Sequence, residues 1–234
     1  MPVKAICFDV FGTVVDWRTS VIEQCRSFGR EKKLDLDWEA FVDRWRSCYR
    51  PGMDAVRRGS LPWTNVAGIH RAALEGLLDE YPIRGLSENE KLWLNRAWNR
   101  CAPWPDATPG LARLKAKYVL STLSNADVAG LVEMAKGSGL PWDCILCAEF
   151  FRHYKPDAEV YLGAIELLGL PPEEILLVAA HNYDLRAARS HGMATAFVPR
   201  PREYGAGQTS DLRAEDDWDI VVGDFEELAA AMGT

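Results

Sequence analysis

Short apolar runs separated by amphipathic stretches set the pattern of this chain. Residues 3–8 (Val-Lys-Ala-Ile-Cys-Phe) form the first run and end on Asp9, with Gly12 close behind, which predicts a buried strand feeding a turn. Further runs of the same kind come much later, at 118–123, 144–148, 175–180 and 195–198, with 219–222 as a weaker sixth. Between them, apolar positions recur with helical spacing at 109–117, 126–136, 157–168, 185–191 and 225–232. Strands alternating with helices predict an α/β fold, a Rossmann-like doubly wound parallel sheet with helices on both faces. In such a sheet a ligand sits at the carboxyl ends of the strands.

Residues 17–98 break the alternation. Helical spacing dominates at 18–32, 38–49, 66–80 and 88–97, no strand pattern is evident, and Pro-bearing breaks fall at 50–52 and 61–63. This predicts an inserted helical cap domain, 17–98, between two parts of the core, 1–16 and 99–234. The proline-rich stretch 103–110 brings the chain back. No internal repeat or low-complexity segment interrupts this layout.

Composition narrows the function classes. With 234 residues, 48% of them hydrophobic, the chain can bury a substantial core. A net charge of −7 argues against nucleic acid as a partner and means that an anionic substrate needs a local cation. No stretch approaches the ~20 apolar residues of a membrane span, so no membrane partner is expected. Residues 1–4 run into the first strand without an apolar leader, and with six cysteines this suggests a reducing, cytoplasmic setting. Cys144-x-x-Cys147 lies in a strand-like run without the helix start that lowers a thiol pKa, so it reads as core packing rather than redox chemistry. No second such pair or Cys/His cluster is present to build a zinc site.

The candidate chemistry falls at four strand ends. Asp9-Val-Phe-Gly-Thr-Val-Val-Asp16 follows the first strand, Ser124-Asn125 ends the second, Lys155-Pro156 precedes a helix, and Ala179-Ala-His-Asn-Tyr-Asp184 closes the fourth. Taken singly these are bland: an Asp after a strand is usually a turn residue, a Ser-Asn pair a helix cap, a lysine a surface charge. Taken in this order on one sheet they resemble the haloacid dehalogenase superfamily, over essentially the whole chain. The resemblance implies Asp9 as nucleophile, Ser124 as the group that orients the reacting end, Lys155 as the cation that neutralises carboxylates, and Asp184 as the closing acid.

Most of that superfamily are phosphatases, and a magnesium-dependent phosphatase is the alternative reading. Two departures weigh against it. The Asp-x-Asp first motif of the phosphatases has Phe11 here in place of the second acid, and Ala180 stands four residues before Asp184 where a metal-binding acid is usual. Losing both removes the proton donor and part of the charge that holds Mg²⁺. A carboxylate attacking a carbon that bears a halogen needs neither, only donors for the departing halide and a dry nucleophile.

The chain thus resembles the type II (L-2-haloacid) dehalogenases, whose first motif reads Asp-x-Tyr/Phe-Gly-Thr-Leu-x-Asp. The resemblance implies displacement of halide from a short 2-haloacid by Asp9, an ester on its carboxylate, and hydrolysis to a 2-hydroxy acid with no cofactor and no metal. It implies that Thr13 steadies the nucleophile, that Val10 and Phe11 line the substrate side, that Ser124 binds the substrate carboxylate, that Asn125 donates towards halide and that Tyr161 supports the substrate end. Trp45-Arg46 matches the family's cap Trp-Arg pair, making Arg46, rather than Arg44 or Arg50, the halide-receiving cation. His181 stands where the family has an asparagine that positions water, and is expected in the site either as a base or as volume that narrows the pocket towards haloacetates. The resemblance also points to a homodimer. A non-catalytic binding module is the third reading, disfavoured because a dead fold needs no such cluster.

Overall fold

The computed structural model describes residues 3–234; residues 1 and 2, where the expected first core segment begins, lie outside the described residues. Apolar Ala5–Phe8 forms β1, with every residue buried. After a tight loop, Val15–Asp16 forms β2, and the chain enters five helices: α1 (Trp17–Lys32), α2 (Trp38–Ser47), α3 (Tyr49–Arg57), α4 (Val66–Glu80) and α5 (Glu88–Asn95), followed by a 3₁₀ turn, Arg96–Arg100. It returns through β3 (Ala102–Pro103), α6 (Ala107–Lys115), β4 (Val119–Ser124), α7 (Val128–Ser138), β5 (Cys144–Cys147), α8 (Ala148–Phe151) and α9 (Ala158–Leu168). A 3₁₀ turn at Pro172–Glu174, β6 (Ile175–Ala179), α10 (Asn182–Ser190), β7 (Ala194–Phe197), β8 (Ile220–Val221) and α11 (Phe225–Ala231) complete it.

Six strands form one parallel sheet in the order β5-β4-β1-β6-β7-β8. β1 lies between β4 and β6, with Phe8 opposite both Thr122 and Val178. The order reverses at β1, so the carboxyl end of that strand is the crevice where ligands bind in doubly wound sheets. The core against one face gathers Leu123, Leu146, Val160, Tyr161, Leu177, Leu185 and Phe197. On the other face Phe8 packs against Trp142 and Phe225 at ring separations of 5.5 and 5.4 Å.

The chain divides into two compact units, one of residues up to Asp16 together with Ala102–Thr234, the other Trp17–Cys101. Residues 99–101, expected with the core, belong to the helical unit because the 3₁₀ turn continues α5 and the Cys101 thiol reaches the Trp98 carbonyl. Within that unit the helices start on side-chain caps: Asp37 accepts from the Ala40 N–H, Asn65 from Gly68, and Ser87 and Glu90 form a reciprocal capping box.

Several local expectations shift. The break expected at 50–52 falls at Cys48, and Pro51 sits in the first turn of α3, where its missing N–H costs nothing. α10 starts at Asn182, three residues before the expected 185, because His181 can take the extended N-cap backbone. The pair β2–β3 is antiparallel and only two residues long on each side, too short for an alternation pattern to reveal it. Cys147 does stand at a helix start, that of the short α8, yet burial pushes its thiol up to about 11. None of the six cysteines is in a disulfide. Among the described residues no helix is long and apolar enough to cross a membrane.

α6 and α11 touch at Gly110. A Cβ there would stand 2.5 Å from Phe225 Cβ and 2.6 Å from its backbone. Gly110→Ala is therefore expected to destabilise the chain by about 1–3 kcal/mol despite the better helix propensity of alanine. Urea denaturation of the two proteins checks this; equal or greater stability of the alanine variant would contradict the close approach.

Candidate active site

The segments that leave the carboxyl edge of the sheet bring polar groups together in a buried cluster. β1 delivers Asp9, only 6% exposed. The chain then reverses within Val10–Val15, where the Val14 and Val15 amides both bond to the Val10 carbonyl. Gly12 holds φ +89°, a conformation side-chain-bearing residues rarely adopt, and a Cβ on it would collide with the Glu203 carboxylate. This turn aims Thr13 back at the nucleophile: its hydroxyl donates to Asp9 Oδ2 at 2.7 Å and accepts from the Ala180 N–H at 2.9 Å. The position where a phosphatase would place an acid thus contributes only a backbone amide. Val10 is buried and Phe11 half-buried on the same turn.

Lys155 enters from the loop after α8. Its Nζ donates to Asp9 Oδ1 at 2.8 Å and to Asp184 Oδ2, and the residue is 2% exposed. Asn125 locks the lysine backbone, accepting from its N–H at 2.7 Å and donating to its carbonyl at 3.1 Å. Expected as an amide donor for halide, Asn125 spends its carbonyl and an amide hydrogen on placing Lys155. Tyr161, expected at the substrate end, is buried with its hydroxyl donating to Asp184 Oδ1 at 2.5 Å. Ser124 is the buried last residue of β4.

His181 and Asp184 come from the turn into α10. His181 Nδ1 lies 3.0 Å from Asp9 Oδ2, and Nε2 lies 2.9 Å from Glu203 Oε2. Glu203 is 1% exposed and was not identified from the sequence. It sits in an irregular loop after β7 that carries no periodicity, and only its contacts with Gly12 and His181 mark it. The same loop is anchored by Arg200, whose guanidinium donates to the Thr13 carbonyl at 3.0 Å and forms a two-pronged pair with Asp106, 2.8 Å on each arm. Asn182, beside His181, binds the Asp211 carboxylate and accepts from the Trp218 indole at 3.0 Å, tying α10 to residues 211–218.

The electrostatics follow from burial and pairing. Burial alone would raise Asp9, but the Lys155 ammonium and the His181 imidazole outweigh it and hold Asp9 well below the usual carboxylate range. Burial opposes the charge on Lys155, and Asp184 and Asp9 more than restore it. Asp184, more deeply buried and facing Asp9 across the same lysine, is raised. His181 is raised well above its ordinary value: burial works against the imidazolium, but Glu203 and Asp9 clamp it from both sides. These directions favour an ionised Asp9 and a protonated His181, whose two ring nitrogens lie within hydrogen-bond distance of the Asp9 and Glu203 carboxylates. Among the described residues no group of three His, Cys, Asp or Glu side chains is arranged to hold a metal ion.

Arg46 belongs to the helical unit, where its guanidinium lies 4.1 Å over the Tyr49 ring and 5.1 Å over Trp17. It is half-buried, whereas Arg44 and Arg50 are exposed and Arg44 pairs with Glu80.

Comparison with known proteins gives a consistent result. The family model described as haloacid dehalogenase-like hydrolase matches residues 3–192. A solved L-2-haloacid dehalogenase is 49% identical, with 98% of each chain covered and a TM-score of 0.96. A second, described as a defluorinating L-2-haloacid dehalogenase, is 43% identical over 99% of this chain and 96% of its own, also with a TM-score of 0.96. The (S)-2-haloacid dehalogenase H-109 of Pseudomonas putida is 27% identical over 91% of this chain and 94% of that protein.

The raised His181 and lowered Asp9 act on stability in opposite directions. His181 stabilises fully below its unfolded value of ~6.5 and loses that contribution as pH rises through the raised folded value. Asp9 stabilises above its unfolded value of ~4 and loses that contribution as pH falls. Histidine NMR should therefore find His181 protonated from pH 6 to 8, and Glu203→Gln should bring its titration down into that window. A wild-type His181 that titrates near pH 6.5 would overturn the clamp.

Proposed function

Because the chain belongs to the haloacid dehalogenase-like hydrolase family, we propose that it hydrolyses short 2-haloacids, haloacetates included, to 2-hydroxy acids through an ester on Asp9. The observation that carries this reading is the hold on one buried carboxylate. Asp9 is kept ionised by Lys155 and His181, oriented by Thr13, and flanked by Phe11 and Ala180 where a phosphatase has acids. The high identity to solved L-2-haloacid dehalogenases supports carbon over phosphorus as the target. The six cysteines, none in a disulfide, support a cytoplasmic setting.

In the first half-reaction an Asp9 oxygen attacks C2 of the substrate from the face opposite the halogen. The C–O bond forms as the C–halogen bond breaks, and halide departs with the electron pair. Oδ2 is held by two donors, Thr13 and His181, and Oδ1 by Lys155 alone, so Oδ1 is the attacking oxygen. Ser124 receives the substrate carboxylate, and Arg46 takes the halide, as in the resembled family. Asn125, Tyr161 and Asp184 act through Lys155: they fix its backbone and its ammonium rather than touch substrate.

Esterification removes the charge on Asp9, and with it one side of the His181 clamp. The Nδ1 proton then leaves to solvent while Nε2–H stays on Glu203, and the freed Nδ1 lone pair accepts a proton from the water that attacks Asp9 Cγ. The acyl C–O bond to the product breaks, the 2-hydroxy acid leaves, and Asp9 is again a carboxylate facing an imidazolium. One haloacid and one water give one hydroxy acid, one halide and one proton.

Halide release from chloroacetate, fluoroacetate and (S)-2-chloropropionate in EDTA tests the activity, with para-nitrophenyl phosphate and Mg²⁺ run in parallel. Release that resists EDTA is expected, and phosphatase turnover without it would sink the reading. Single turnover in H₂¹⁸O should label the Asp9 carboxylate. His181→Phe should give about one halide per protein and then stall, hydrolysing the ester ~10²-fold or more slowly; unchanged steady turnover would reduce His181 to packing.

A further inference from the structure

The helical unit contains a second polar constellation, separate from the carboxylate cluster of the core. Five side chains touch in a closed ring. The Arg46 guanidinium lies 5.1 Å over Trp17, Trp17 stacks on Trp98 at 5.6 Å, and Trp98 stacks on His70 at 4.2 Å. His70 meets Tyr49 at 5.6 Å, and Tyr49 returns to Arg46 at 4.1 Å.

Two atoms of this ring break the rule that buried polar groups find partners. His70 is 3% and Trp98 2% exposed, yet among the described residues His70 Nε2 and Trp98 Nε1 have no hydrogen-bond partner. Neighbouring Trp45 shows what this environment ordinarily does with an indole, donating to the His70 carbonyl at 2.9 Å. Burial and the adjacent Arg46 push His70 down to about 3, so the imidazole is neutral and in one tautomer presents Nε2–H. A neutral imidazole beside a guanidinium avoids cation–cation repulsion and still donates. The set therefore consists of one guanidinium, two N–H groups on rings stacked 4.2 Å apart, and aromatic faces. Its complement is a small monovalent anion that only accepts.

We propose that His70 and Trp98 join Arg46 in binding a halide ion within the helical unit, as N–H donors to the ion that Arg46 attracts. The inference rests on the reading of Arg46 as the halide-receiving cation and adds the groups that would set halide affinity and choice. A neutral donor is suited to release as well as capture. It stabilises the ion by one hydrogen bond and adds no second full charge to overcome on departure. An ordered water is the competing occupant. Asn95 Oδ1, an unpartnered acceptor in the same unit, is the kind of group a water would also engage.

The test is chloride-35 NMR line broadening on the full-length protein at constant ionic strength, with bromide as competitor. Wild type should broaden the line saturably and bromide should reverse it. His70→Phe, which keeps the stacked ring and removes both nitrogens, should weaken chloride binding about tenfold or more, and Trp98→Phe likewise. His70→Gln restores a donor and should recover most of the loss, which separates loss of the N–H from a packing defect. Wild-type affinity in both phenylalanine variants, or no saturable binding by wild type, would overturn the proposal and leave a water in that place. Halide release from chloroacetate, measured on the same samples, keeps the two readings apart: turnover with no saturable chloride site defeats this inference alone, and a chloride site without turnover defeats the dehalogenase reading alone.

Discussion

The buried ammonium of Lys155 is the interaction on which the rest of the site depends. A charge with 2% of its residue exposed persists only if carboxylates face it, and Asp9 does so from the end of β1 and Asp184 from the first turn of α10. With two carboxylates on it, the ammonium stays paired if one is lost, and only the loss of both would leave an uncompensated buried charge. The lysine in turn lets Asp9 stay ionised in surroundings that would otherwise neutralise it. Tyr161 saturates the far oxygen of Asp184, and Asn125 fixes the lysine backbone, so neither charge can drift. Asp9 is thus the most accessible carboxylate of a buried polar network. Its counter-ions are set around it before any reaction, which is electrostatic preorganisation in its simplest form.

His181 and Glu203 extend that network in the other direction. With Lys155, the cluster holds two cations against three carboxylates, and Asp9 touches both cations. Any reaction that neutralises Asp9 therefore disturbs both at once. For Lys155 the consequence is small, because Asp184 remains. For His181 half the clamp disappears. In the proposed reaction, the contact that charges the imidazole in the resting state is lost when an ester forms on Asp9. A base then arises only once the ester that needs it is in place, so water is not activated before a substrate has been captured.

How much of this was legible in the sequence depends on what each residue's role rests on. Asp9, Lys155 and Asp184 stand near strand ends or helix starts that the alternation located, and their acting together was implied by the resemblance to the haloacid dehalogenase superfamily. The α/β core followed from the same apolar runs. Phe11 and Ala180 were informative as absences, since their meaning needed only the motif. Glu203 was not readable: it lies in an irregular loop, and its importance comes from Gly12, far away in sequence, leaving room for its carboxylate. For that reason His181 could be placed in the site while its charge could not, because the partner that charges it was invisible. Asn125 and Tyr161 were expected to face a ligand, but a carboxamide and a phenol satisfy a buried lysine and aspartate as readily as a substrate. Only distances separate those cases.

The helical unit makes the complementary point about cations. Its arginines look alike in sequence, all on amphipathic helices where charge normally faces water. What marks Arg46 is its contact with aromatic rings: Tyr49 at 4.1 Å and Trp17 at 5.1 Å. A ring quadrupole offsets only a fraction of a unit charge. Arg44, by contrast, is exposed and pairs with Glu80. The core and the helical unit thus handle charge by opposite means. Carboxylates are saturated with cations where a nucleophile must hold still. A cation lies against polarisable rings in the helical unit, where the proposed reading places capture and release of an anion.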